Sequence, residues 1–246
     1  MQNAYRTSAV SYPHRFIALA AWTGAALACI SVFVGLRAVD FDIDAIGNPL
    51  GLVGIGVAGA DALETSMICD MFGYYLAAIP LILYLWFWLR DEHPYLITLG
   101  TVLGLLYSVT GLLGTGILSV LWPSTIIDYQ HAASDPVAAQ VAAALYKNVT
   151  QMVYFGMWGR AEYLMSGVAL VCVGMAAWRR KRSFAIASLV AGLSALAASG
   201  GELSHAHGVA DLGLNLYLVT AAVWQVWGGV LAWRRVTDHT PGSAQA

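Results

Sequence analysis

The chain of 246 residues is 59% hydrophobic and only 11% charged, with a formal net charge of -2, whereas an ordinary soluble domain is about 25% charged. Such a composition cannot coat a water-soluble globule, and a nearly balanced charge excludes a nucleic-acid partner recognised through a basic surface. The length is used up by six apolar spans and their connections, which predicts one all-α domain, a polytopic membrane helix bundle over residues 1–236 with the lipid bilayer as its surroundings.

The amino terminus is polar through Arg15, and residues 16–36 form the first predicted span. Its length exceeds the apolar core of a signal peptide, about 7 to 15 residues, and no small-residue cleavage site follows, so it is expected to be retained. An acidic loop with Asp40, Asp42 and Asp44 leads to a glycine-rich stretch, residues 51–64, which reads as a loosely helical cap because glycine disfavours a stable helix. Residues 66–89 form the second span, with Asp70 inside it and Pro80 expected to kink it. A lone charged Asp at mid-membrane costs roughly 2.5 to 3.5 kcal/mol, so Asp70 needs an interface, a proton or a partner.

The third span, residues 95–121, carries Gly100 and Gly104 at the spacing that lets membrane helices approach, continued by Gly111, Gly114 and Gly116. Trp122 and Pro123 are expected to end it, and a loop with Asp128 and His131 follows. Ser134, Asp135 and Pro136 then read as a helix start, a capping side chain followed by proline in the first turn. From there to Trp178 the pattern is helical, too long for one crossing, so a split near Gly156 to Gly159 is expected. That gives an external amphipathic helix at 137–155 and a fourth span at 157–178. After the basic run Arg179 to Arg182, residues 183–200 and 213–233 form the fifth and sixth spans, joined by a polar turn with Glu202, His205, His207 and Asp211. The tail, 237–246, is expected to be disordered and cytoplasmic.

Charge sets the expected orientation. Arg6, Arg15, Arg90, Arg179, Arg180, Lys181, Arg182, Arg234 and Arg235, nine of the twelve basic residues, fall on the side of the termini, while all acids except Asp91, Glu92 and Asp238 fall on the other. The positive-inside rule then puts both termini in the cytoplasm of a multi-pass protein.

The Asp70 span with Tyr74 and Tyr75, the stretch GMWGRAEYLMSGVALVCVG after the external helix, and the basic turn before the fifth span together resemble a family of bacterial six-span integral membrane proteins known only as a domain of unknown function. The resemblance implies the six-span layout in a bacterial plasma (inner) membrane and carries no activity.

Polar residues gather in the outer half. His207, Asp211 and Asn215 follow an i, i+4, i+8 series, with Gln225 close to the same stripe. Such a stripe faces the bundle interior or a wet cavity, because lipid would leave it unsatisfied. An outward-facing pocket is therefore expected from Asp70, Tyr74, Arg160, Glu162, His207, Asp211 and Asn215, binding a small amphiphile or lipid-like molecule in a binding, transport-accessory or sensing role. The competing reading makes Asn215 and Gln225 helix glue. Arg160 and Glu162, two apart, point in different directions, which leaves Arg160 free to pair with Asp70.

The alternative function is an intramembrane acid-base enzyme on an isoprenoid or lipid, with Asp70 held ionised by Arg160 and Glu162 as the second carboxyl, the catalytic pair. Glu202, His205 and His207 offer metal-ligand chemistry, but no zinc-enzyme spacing is present, so neither metal nor cofactor is expected. Cys29, Cys69 and Cys172 read as small buried hydrophobes. A homo-oligomer or a subunit of a larger membrane complex would show the same pattern.

Overall fold

The computed structural model describes residues 14–42 and 49–238, and every element there is helical. Six helices are long and apolar enough to cross a membrane: His14–Ala38, Gly56–Leu89, Pro94–His131, Pro136–Ala177, Arg182–Leu203 and His207–Arg234. Their outer faces are apolar, with Leu99, Val102, Leu106, Leu113, Leu216, Val219 and Val223 exposed. In the predicted bilayer these side chains meet hydrocarbon, and the backbone polar groups are satisfied within each helix.

Each span packs on the next, and the first closes against the sixth, so the six helices form a ring. The spans differ in height. At about 1.5 Å per residue, the 22-residue fifth span is about 33 Å long, whereas the 38-residue third and 42-residue fourth are about 57 and 63 Å. The surplus of the second, third and fourth spans rises past the acidic end of the ring and packs around a core of its own, which includes Leu52, Leu63, Trp122, Ile126, Tyr146 and Trp158.

This extension corrects several boundaries. The glycine-rich cap is helical from Gly56 and continuous with the second span; burial of Ala60, Leu63 and Met67 in the extension's core outweighs the glycine penalty. The third helix runs through Pro123 to His131, so Asp128 is helical and not in a loop. Trp122, beside the proline, donates Nε1 to Thr150 Oγ1 at 2.8 Å and holds the third helix against the fourth where a proline would otherwise end it. Likewise the external helix and fourth span are continuous, without a break at Gly156 to Gly159. The helix start at Asp135 is as expected: its side chain accepts from the Val137 and Ala138 amides at 3.0 and 3.2 Å, with Pro136 in the first turn. The sixth helix continues to Asp238, so residues 237 and 238 of the expected tail are helical; the rest of that tail, Arg6 and Asp44 lie outside the described residues.

Two segments within the spans depart from α-helical winding. Met71–Leu76 and Gln151–Glu162 are π-helical, and the Ala77 amide bonds Phe72 O, five residues back, at 3.1 Å. Pro80 sits in the first turn of the helix that resumes at Ala78, where a missing N–H costs little. At the opposite end of the ring, Arg180 pairs with Glu92 at 2.6 Å and also donates to the Trp88 carbonyl, tying the turn after the second span to the turn after the fourth. Cys172 is buried, but Cys29 is exposed and Cys69 only partly covered, which corrects the expectation for those two.

Of the glycines on the third span, Gly111 leaves room for the Tyr75 ring, which a Cβ there would overlap, whereas Gly116 faces open space. Gly111→Ala is therefore expected to lower the stability measured by thermal unfolding in detergent by about 1–3 kcal/mol, and Gly116→Ala to leave it unchanged or raise it by up to about 1 kcal/mol, alanine being the better helix former. Equal effects would contradict this packing.

Candidate functional site: a carboxyl-lined cavity inside the ring

A cavity of about 730 Å³ opens inside the ring, and all six spans contribute to it. Its depth follows from chain position. Glu162 lies fifteen residues before the end of the fourth span at Ala177, about 22 Å along the helix, which places it within the upper part of a hydrocarbon layer roughly 30 Å thick. Glu202, at the top of the fifth span, and Asp211, near the top of the sixth, mark the mouth.

The π-helical segments supply much of the wall. A wider turn brings neighbouring residues to one side, so Tyr74 and Tyr75 are both buried and both border the cavity, as do Tyr154, Phe155, Trp158 and Glu162 from the second segment. Tyr75 donates its hydroxyl to Glu162 Oε1 at 3.0 Å, and its ring packs 5.3 Å from that of Tyr107. Glu162 is 2% exposed, and its other oxygen, Oε2, is buried without a hydrogen-bond partner among the described residues. A buried acceptor left unmade costs about 1–3 kcal/mol.

Asp70 sits on the opposing wall and receives the Ser31 hydroxyl at 3.5 Å; Ser66 in turn donates to the Ser31 carbonyl at 2.9 Å. This polar knot joins the first and second spans at the cavity's edge. Below it, Tyr74, Tyr107 and Tyr217 form a floor that also roofs a smaller void of about 50 Å³. The floor is tied: Tyr74 donates to the Leu218 carbonyl and Tyr107 to the Tyr74 carbonyl, each at 3.3 Å.

Of the residues singled out in the sequence, Asp70, Tyr74, Glu162, Asp211 and Asn215 border this one cavity, and so does Glu202. Arg160 and His207 do not; both are exposed outside the lining. The expected Arg160–Asp70 pair is absent among the described residues, because Arg160 points out of the ring while Glu162, two residues on, points in. The polar stripe of the sixth span divides. Asp211 and Asn215 reach the cavity, whereas Gln225 lies deeper and donates Nε2 to the Gly73 carbonyl at 3.1 Å, the helix-glue role. His205 takes a left-handed backbone, φ 56°, at the turn between the fifth and sixth spans. Glu202, His205 and His207 do not converge, and no group of three or more His, Cys, Asp or Glu side chains among the described residues is placed to hold a metal ion.

Sequence reasoning missed Ser31 and Tyr154 as cavity residues. The signal for Tyr154 is weak, since a π-helical segment shifts the phase of everything that follows it on a helical wheel.

No protein family matches the chain, and neither the curated proteins nor the solved structures yield a match.

If the Tyr75 hydroxyl satisfies Glu162, Tyr75→Phe costs about 1–3 kcal/mol in the wild-type background and less than about 0.5 kcal/mol in Glu162→Met, where no acceptor remains. A thermal-unfolding cycle with the same cost in both backgrounds would show that the contact contributes nothing.

Proposed function

We propose that this multi-pass membrane protein binds a small amphiphilic molecule in the cavity of its helix ring, as a binding, transport-accessory or sensing module. The observation that carries this reading is the cavity itself. A volume of about 730 Å³ matches the pockets of about 300–1,000 Å³ that hold small organic ligands, and its surface mixes aliphatic side chains with a few carboxyl and hydroxyl groups. Leu36, Leu63, Met67, Leu214 and Leu218 accept an apolar body, while Asp70, Glu162, Asp211 and Asn215 meet a polar head.

The basic end of the ring, with Arg90, Arg179, Arg180, Lys181 and Arg182, supports an orientation in which both termini are cytoplasmic and the cavity opens on the opposite side. Together with the layout resemblance, this favours a bacterial plasma membrane as the location. The acid-base enzyme loses one support, because its proposed division of labour relied on an Arg160–Asp70 pair that the described residues do not form.

Native mass spectrometry of the detergent-purified chain tests the binding reading. The expected spectrum carries an organic adduct of a few hundred daltons that survives gentle activation and is strongly reduced in Asn215→Trp, whose indole narrows the cavity. A bare chain mass in the wild type, or an adduct indifferent to that substitution, would overturn it.

A further inference from the structure

The sign of the ligand's charge can be read from the cavity wall. Four carboxyl side chains border it, Asp70, Glu162, Glu202 and Asp211, and no Lys, Arg or His does among the described residues. Basic side chains at that end, Arg37, Lys147, Arg160, His205 and His207, are exposed and lie outside the lining. An anionic headgroup would therefore meet the carboxyls of Glu202 and Asp211 at the outer end with no basic partner in the wall among the described residues, whereas a cation meets them there and finds the carboxyl oxygens of Asp70 and Glu162 at depth.

Three further features narrow the class. Glu162, 2% exposed, has no hydrogen-bond partner for Oε2 among the described residues and so offers an unused acceptor at the inner end. Aromatic rings supply part of the wall: Tyr154 neighbours both Trp122 and Trp158, with ring centroids 6.3 Å and 5.9 Å away. Ring faces attract organic cations in a low-dielectric site. A bare metal ion fits poorly, since no three carboxyl or imidazole groups converge among the described residues and the volume is that of an organic molecule.

We infer that the ligand is a cationic amphiphile, an amine or quaternary ammonium with an apolar chain, whose positive head lies between the cavity carboxyls and the Tyr and Trp rings. This rests on the proposed binding function and adds the chemical class.

The test compares three probes of equal chain length on the full chain in maltoside micelles: hexyltrimethylammonium, hexyl glucoside and hexyl sulfate. Quenching of the cavity tryptophans and the shift in unfolding temperature both report binding. Hexyltrimethylammonium is expected to bind about tenfold tighter than the glucoside, with hexyl sulfate weakest. Glu162→Gln is expected to bring the ammonium and the glucoside to similar affinity. Should that variant fail to fold, Glu202→Gln combined with Asp211→Asn at the accessible mouth is expected to shrink the preference in the same direction. A sulfate that binds as well as the ammonium, or a preference that survives loss of the carboxyls, overturns the cationic class while leaving the binding site standing. If no probe binds the wild type better than the narrowed Asn215→Trp variant, the binding reading falls and the inference with it.

Discussion

A carboxyl group carried about 22 Å up the fourth span cannot face hydrocarbon, and the architecture follows from where Glu162 and Asp70 are allowed to look. Both point inward, Glu162 toward the Tyr75 hydroxyl and Asp70 toward Ser31. Closing the helices into a ring, first span against sixth, gives these groups an interior away from lipid. Because the ring does not fill its own centre at that level, the interior is a cavity rather than a packed core. Towards the basic end the same ring is dense: Leu81, Leu85, Leu89, Ile97 and Phe184 are almost fully buried, and Trp224 donates to Ser188 at 2.9 Å to bind the sixth span to the fifth.

The unequal heights of the spans serve this cavity. The tall second, third and fourth helices wall one side and carry their own hydrophobic core above it. The shorter fifth and sixth leave Glu202 and Asp211 at a mouth. The two π-helical segments lie where the tall helices pass the cavity, and they turn consecutive side chains inward that an α-helix would spread around its circumference. The tyrosine floor then separates the large chamber from the small void beneath, so the polar region ends where the dense apolar half begins.

Hydropathy made the six spans legible, and the capping chemistry of Asp135 and Pro136 located the start of the fourth helix. Inward-facing Asp70, Glu162, Asp211 and Asn215 were also legible, since a polar residue in a span has few places to go. The failures share a cause. Pro123, Gly156 and Gly159 were read by local propensity as ends or breaks and residues 51–64 as a loose cap, and tertiary packing against neighbouring spans overrides that preference. The direction of Arg160 was a different kind of miss. Its pairing with Asp70 was argued from the charge requirement of Asp70, but Ser31 and the cavity answer that requirement. Wheel phases computed at about 100° per residue also fail across Gln151–Glu162, which is wound differently.

The central claim is that polar side chains well below the membrane surface line a chamber reached from the side opposite the basic turns. Cysteine accessibility tests it most directly. In a background with Cys29, Cys69 and Cys172 replaced by alanine, Asn215→Cys and Ser66→Cys are labelled from that side by a charged, membrane-impermeant thiol reagent. Leu216→Cys, whose side chain is exposed on the apolar outer surface, is protected. Labelling of Leu216→Cys alone, or protection of both cavity positions from either side, would contradict a water-accessible chamber within the ring.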